Sequence, residues 1–197
     1  ELLNCHRLFA VPATAAGCAC LEDYERQLLG KKKATAVVTP MATARAGQLP
    51  TPIQDCVKAG MNVAIGSGGA TECGNLDLFE QMRYAAAHGR SAGGETLQLP
   101  ASAVLMMATV CGARAQARSA DTGMLKEGFD ADLCLVDFSA PHLMPCHNVI
   151  NGLVFGAKGG DVAMTMVAGK ILYQNGQFPT IDLKEVVEEL TQYAIPR

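Results

Sequence analysis

The 197-residue sequence predicts an α/β chain: strand and helix alternate three times, a β-rich segment follows, and a helix closes the chain. Three observations carry that expectation. Short apolar stretches begin at Ala13, Ala34 and Asn62, 21 and 28 residues apart, and each is followed by a segment of helical spacing, the pattern of consecutive β/α units. The stretches are almost continuously apolar rather than alternating, as in a parallel sheet covered on both faces. Apolar residues make up 49% of the chain and charged residues 18%, enough for a sizeable core and too apolar for disorder.

The first strand is expected over Ala13–Cys18 and its helix over Leu21–Leu29, where Glu22 and Asp23 place acid in the first turn. Ala34–Val38 is the second strand, ended by Thr39-Pro40, and Pro52–Ala59 its helix, stopped by Gly60. Asn62–Ile65 is the third strand, closed by Gly66-Ser67-Gly68-Gly69; Leu76–His88 follows, with Leu76, Phe79, Met82 and Tyr84 approximating an apolar face. Pro100–Arg118 reads as one long helix rich in Ala and Met. Strands are then expected over Asp132–Phe138, Met164–Val167 and Ile171–Tyr173, with a turn at Gln174-Asn175-Gly176. Leu183–Tyr193 is an acidic amphipathic helix. The change of character near Asp121 sets the expected boundary, giving domains 1–120 and 121–197.

Charge and cysteine usage narrow the function classes. Net charge is −3, and the one basic run is Lys31-Lys32-Lys33, which argues against nucleic acid, since phosphate neutralisation needs a clustered basic surface. No apolar run reaches the roughly 18 residues of a membrane span. Eight scattered cysteines without CxxC pairs fit free thiols in a reducing cytoplasm, and no signal peptide is evident. The chain opens on Glu1 rather than Met, so a processed, trimmed or partial product is expected.

Candidate chemistry is sparse. His6, His88, His142 and His147 form neither HxH nor HExxH, and none falls at an expected strand end. His88 is expected at a helix end, where a protonated ring suits the macrodipole; His142 and His147 flank Pro141 and Pro145 in a surface loop. Cys18-x-Cys20 alone is a weak zinc pattern. The Gly66–Gly69 loop has the position of a phosphate cradle but neither the Walker ending nor full GxGxxG spacing. Ser67 lacks a GxSxG elbow. Glu72 and Asp77 follow the third strand and could pair, with Asp77 better read as a helix first-turn residue.

A resemblance supplies what these patterns lack. Asn62-Val-Ala-Ile-Gly-Ser-Gly-Gly-Ala70, Asn75-Leu-Asp-Leu-Phe-Glu-Gln-Met-Arg83, Met107-Ala-Thr-Val-Cys-Gly-Ala113, Gly123-x-Leu-x-x-Gly-x-Asp-Ala-Asp-Leu133, Pro141-His-Leu-Met-Pro145 and Val167-Ala-Gly-Lys170 run in order. Together they resemble the amidohydrolase superfamily, in the branch of S-adenosylhomocysteine and methylthioadenosine deaminases and triazine chlorohydrolases. The resemblance implies a metal-dependent TIM barrel with a small β-sandwich, of which this chain corresponds to roughly the last half. A closed barrel typically needs about 250 residues, so a partial barrel of about three repeats is expected, followed by part of the sandwich.

The resemblance also implies a changed site. Relatives carry Ala-Ala-His-Cys-x-His where this chain has Ala15-Ala16-Gly17-Cys18-Ala19-Cys20, and His-Asn-Pro or His-Cys-Pro where it has Val38-Thr39-Pro40. They carry Gly-Thr-Asp-Gly, whose Asp assists the metal-bound water, where it has Gly66-Ser67-Gly68-Gly69. Ring deamination or dechlorination needs a metal-activated hydroxide and a carboxylate and imidazole to move protons, and Gly17 and Gly68 supply neither. The expectation is a catalytically degenerate structural or regulatory subunit with no catalytic, cofactor-binding or metal residues of its own. It would be a homo-oligomer or be completed by a second polypeptide. The alternatives are half of a hydrolase active only with its other half, and a remnant without a role. Should a metal nonetheless be held, Cys18 and Cys20 are the residues to inspect.

Overall fold

The computed structural model describes residues 2–91 and 99–193. After a one-turn helix α1 (Leu2–Cys5), three strands form a parallel sheet in sequence order: β1 (Thr14–Ala16), β2 (Thr35–Val38) and β3 (Asn62–Ile65). Thr14 pairs with Thr35, and the β2–β3 register runs from Thr35 and Asn62 to Val38 and Ile65. The branched side chains of Val38, Val63 and Ile65 are buried with Ala36, which is why these short runs hold as strands. The mixed α/β architecture with an open parallel sheet is the expected one, although β1 is only half the length read for it.

Helix α2 (Asp23–Lys31) starts later than expected because the Glu22 amide donates to the Glu25 carboxylate at 3.0 Å, making Glu22 the cap. It packs on α4 (Ile53–Lys58) through Gly30, where an added Cβ would stand 1.8 Å from the Ala59 carbonyl oxygen. Between β2 and α4 lies α3 (Pro40–Arg45), unforeseen because Pro40 reads as a stop; proline at the first helical position is a start. A single turn, α5 (Ala70–Cys73), precedes α6 (Leu78–Ser91). Leu76, assigned to the apolar face, lies outside α6 and is exposed, whereas Met82, Ala85 and Ala86 are buried.

The long helix expected over Pro100–Arg118 is two: α7 (Ala101–Ala108) and α8 (Val110–Ala115). Thr109 breaks it at φ −121°, ψ −90°, with its hydroxyl donating to the Leu105 carbonyl at 2.8 Å. The break lets α8 turn across the amino ends of the strands. There Asn62 Nδ2 donates to the Cys111 carbonyl at 2.9 Å and to Thr35 Oγ1 at 3.0 Å, and the Thr14 hydroxyl donates to the Ala115 carbonyl at 3.3 Å. One core joins Ala36, Val63, Met82, Val104 and Val154.

Val154 comes from beyond the expected boundary. It sits in a π turn, Gly152–Gly156, that continues α9 (Val149–Asn151). Arg83 of α6 holds this segment, donating to the carbonyls of Phe155 at 3.0 Å and Ala157 at 2.6 Å. The second sheet is antiparallel, β4 (Leu133–Val136), β5 (Val162–Val167) and β6 (Lys170–Gln174), in that order. Ala168 and Gly169, at φ 47° and 77°, make its two-residue hairpin, and Asn175-Gly176 at φ 47° and 86° the next turn. None of the residues in these strands is fully buried. Helix α10 (Leu183–Tyr193) follows with no buried residue.

Candidate functional site

Ligand sites in open α/β sheets lie outside the carboxyl ends of the strands, here the segments after Ala16, Val38 and Ile65. Gly17 follows β1 at φ +69°, and a Cβ placed on it would meet nothing within 4 Å. Cys18, next to it, is buried; its thiol donates to the Ala15 carbonyl at 3.6 Å, and burial pushes its pKa up. Cys20 is exposed. The pair therefore offers no ready thiolate couple. Cys56, buried on α4, is pushed up to about 11, chiefly by burial and then by neighbouring Cys18.

Val38 at the end of β2 is buried in the core, so its side chain serves packing. After β3, Gly68 adopts φ +78°, and a Cβ there would lie 2.6 Å from Glu72 Oε2. Glu72 thus fills the space a side chain at position 68 would enter, held by the Gly69 amide, which donates to Oε2 at 3.3 Å. Spacing alone gave Glu72 no such place; the turn of α5 folds it back over four residues.

Of the two readings of Asp77, the one at the start of a helix holds. Asp77 is the cap of α6, accepting from the Phe79 amide at 2.9 Å, and its other oxygen accepts from the Gly159 amide at 2.8 Å. His88 lies in the last turn of α6, the helix-end position expected for it, with Tyr84 edge-on at 6.3 Å. With Val38, Thr39 and Thr43 it lines a hollow of about 20 Å³, room for a single water. His142 is no free loop residue: its Nε2 lies 2.9 Å from Asp161 Oδ2, on a side chain only 7% exposed. Burial opposes ionisation of Asp161, but hydrogen bonds from His142 and the Lys158 amide outweigh it and hold the carboxyl below its ordinary value. His6 and His147 are exposed.

Among the described residues no three His, Cys, Asp or Glu are grouped to hold a metal. Glycine at 17 and 68 has no donor, Val38 is apolar, and the Cys18 thiol is kept protonated, so these strand ends do not fit a divalent ion. The larger hollow, about 460 Å³, lies at the opposite end, beside Met61 and Asn62.

The sequence profile of the Amidohydrolase family matches residues 9–172. A 5-methylthioadenosine/S-adenosylhomocysteine deaminase of Moorella thermoacetica is 37% identical over 97% of this chain and 45% of its own length. A 5'-deoxyadenosine deaminase of Methanosarcina mazei is 38% identical over 94% of this chain and 43% of its own. Among solved structures, a zinc-bound adenosine deaminase from Xanthomonas campestris superposes with a TM-score of 0.91 at 27% identity, covering 98% of this chain and 44% of that one. The zinc complex of atrazine chlorohydrolase from Arthrobacter aurescens gives 0.83 at 25% identity, covering 91% and 40%. The chain spans less than half the length of the relatives it matches.

Proposed function

The chain belongs to the amidohydrolase family, is related to deaminases, and, we propose, keeps the family's frame without its chemistry, acting as a structural or regulatory polypeptide. The observation that carries this reading is the set of side chains where the three parallel strands end: none at Gly17, a buried apolar one at Val38, none at Gly68. Activation of water at neutral pH needs an ion held by imidazole, carboxylate or thiolate, and none of the three positions offers one. A cytoplasmic setting belongs to the same proposal, supported by eight free cysteines, as does association with a second polypeptide or a further copy.

The experiment measures metal content and ammonia release together. The purified protein, at its natural length, is analysed for zinc, iron and manganese and assayed with 5'-methylthioadenosine, S-adenosylhomocysteine and 5'-deoxyadenosine. Neither a stoichiometric ion nor ammonia is expected. One tightly held ion per chain with turnover of any of the three would overturn the proposal.

One observation favours a second reading, in which the chain is the carboxyl-terminal half of a hydrolase of C–N or C–Cl bonds, active when joined to its other half. Glu72 brings a carboxylate to the space beside Gly68, where the resemblance places an aspartate. On this reading Glu72→Gln abolishes ammonia release from the joined protein; on the first there is none to lose.

A further inference from the structure

The hollow of about 460 Å³ beside Met61 and Asn62 shares no residue with the strand ends that carry Gly17, Val38 and Gly68. Its size falls within the range of about 300–1,000 Å³ typical of small-molecule sites. This chain builds all of its walls: α4 contributes Ile53 and Val57, the entry to β3 Met61 and Val63, and α7 Ala103 and Met106. Met61 and Val63 are buried and make an apolar floor, whereas Val57 and Met106 stand at the mouth, 56% and 52% exposed. A lining of this kind gives water few hydrogen-bond partners, so an apolar guest is favoured over it. The unbranched side chains of Met61 and Met106 let the walls adapt to the guest's shape.

The charges at the hollow are of one sign. Lys58 and Arg114 line it, and no carboxylate does. Lys58 is partly matched by Asp55 at 3.7 Å. Arg114 donates to the neutral Asn62 Oδ1, at 3.4 Å, and has no carboxylate partner among the described residues. Its charge acts on the lining, opposing the burial that raises the Cys111 thiol. A guanidinium fork left unmatched beside an apolar hollow suits a carboxylate joined to an apolar body. The chain as a whole carries a net charge of −3. Selection of an anion over a cation must therefore come from this place and not from the overall field.

We propose that this hollow binds a small amphipathic carboxylate, its apolar body lying between α4 and α7 and its head on Arg114. Binding here is independent of metal content and turnover at the strand ends, so either proposal can fail while the other stands.

The probe is decanoate, with decanol and decyltrimethylammonium as its neutral and cationic counterparts. Each is titrated into the full chain by calorimetry, and cysteine alkylation with and without it is followed by peptide mapping. Decanoate should bind about tenfold or more tightly than either counterpart. It should slow alkylation of Cys111, which lines the hollow, by about tenfold or more and leave the exposed Cys146 unchanged. Arg114→Gln should weaken decanoate by about tenfold and leave decanol as it was. Ala103→Trp, which fills the space, should abolish both. Met106→Glu, at an exposed position where folding tolerates the change, should weaken decanoate by a further independent route, setting a like charge beside its head. A Val187→Glu/Leu190→Glu variant of α10, whose apolar side chains are exposed, should bind as the parent does. The proposal is overturned if decanoate binds no better than its counterparts or if Cys111 stays equally reactive in its presence. It is overturned too if Arg114→Gln and Met106→Glu both bind as the parent does, or if the α10 variant loses binding. Protection of Cys111 before any probe is added, by a second copy or a co-purifying polypeptide, would likewise overturn it.

Discussion

At the scale of single residues, the glycine at position 30 is fixed by a neighbour rather than by its own helix. A methyl group there would stand 1.8 Å from the backbone oxygen of Ala59, and backbone cannot swing aside. Gly30→Ala should therefore destabilise by about 1–3 kcal/mol or more through overpacking. Gly112→Ala in α8, whose Cβ would find Met107 O at 3.9 Å, should be neutral or gain up to about 1 kcal/mol; urea unfolding of both variants checks the contrast. Asp161 supports a pH prediction. Its carboxyl is held below the ordinary 3.8 when folded, so its stabilisation is complete above that value and is lost as pH falls through the folded pKa. Asp161→Asn should cost about 1–3 kcal/mol at pH 7 and flatten the acid limb of the stability profile. The sequence marked positions 17 and 68 as glycines at strand ends, but not that Glu72 bends back to fill the second, because a four-residue return depends on the turn between.

Among elements, the clearest successes are β3 and α10, found at the residues expected, Asn62–Ile65 and Leu183–Tyr193. β3 is a short apolar run closed by glycines, and α10 has a clear helical period. The failures have identifiable causes: Pro40 opens a helix instead of ending a strand's loop, and the apolar run after Pro100 hides a break because a single threonine, its hydroxyl able to bond the carbonyl four residues back, is also common inside an unbroken helix. Asp77 binds two elements together, capping α6 with one oxygen and holding Gly159 with the other. Asp77→Ala should remove about 1–2 kcal/mol, the range for a lost cap. It should also speed amide exchange at Gly159 more than at residues 101–108; uniform acceleration would mean that the second contact contributes nothing.

For the molecule as a whole, the parallel pairing of the first three strands and the change to a second, β-rich part were legible, since both follow from spacing and turn residues. What covers the outer faces was not, because an apolar stripe looks the same whether its partner is in the chain or elsewhere. α10 shows this: Leu183, Val186, Val187 and Leu190 recur at helical spacing and are 39–55% exposed. Apolar surface is worth about 25 cal/mol per Å², so this stripe should draw copies together. Sedimentation should give a mass above 20.7 kDa that falls toward the monomer in a Val187→Glu/Leu190→Glu variant. A compact monomer in the parent at high concentration would refute it.

The left-handed backbone at Gly17 and Gly68 makes either position costly to substitute. At φ +69° and +78°, any side chain placed at either position starts with a strain of roughly 1–2 kcal/mol. At position 68 it must also displace Glu72 from its bond to the Gly69 amide. Small domains hold only about 5–15 kcal/mol in reserve, so two such substitutions draw on a large part of it. Replacing both glycines together therefore runs uphill for the fold: a designer adding side chains at these two strand ends must first add stability elsewhere.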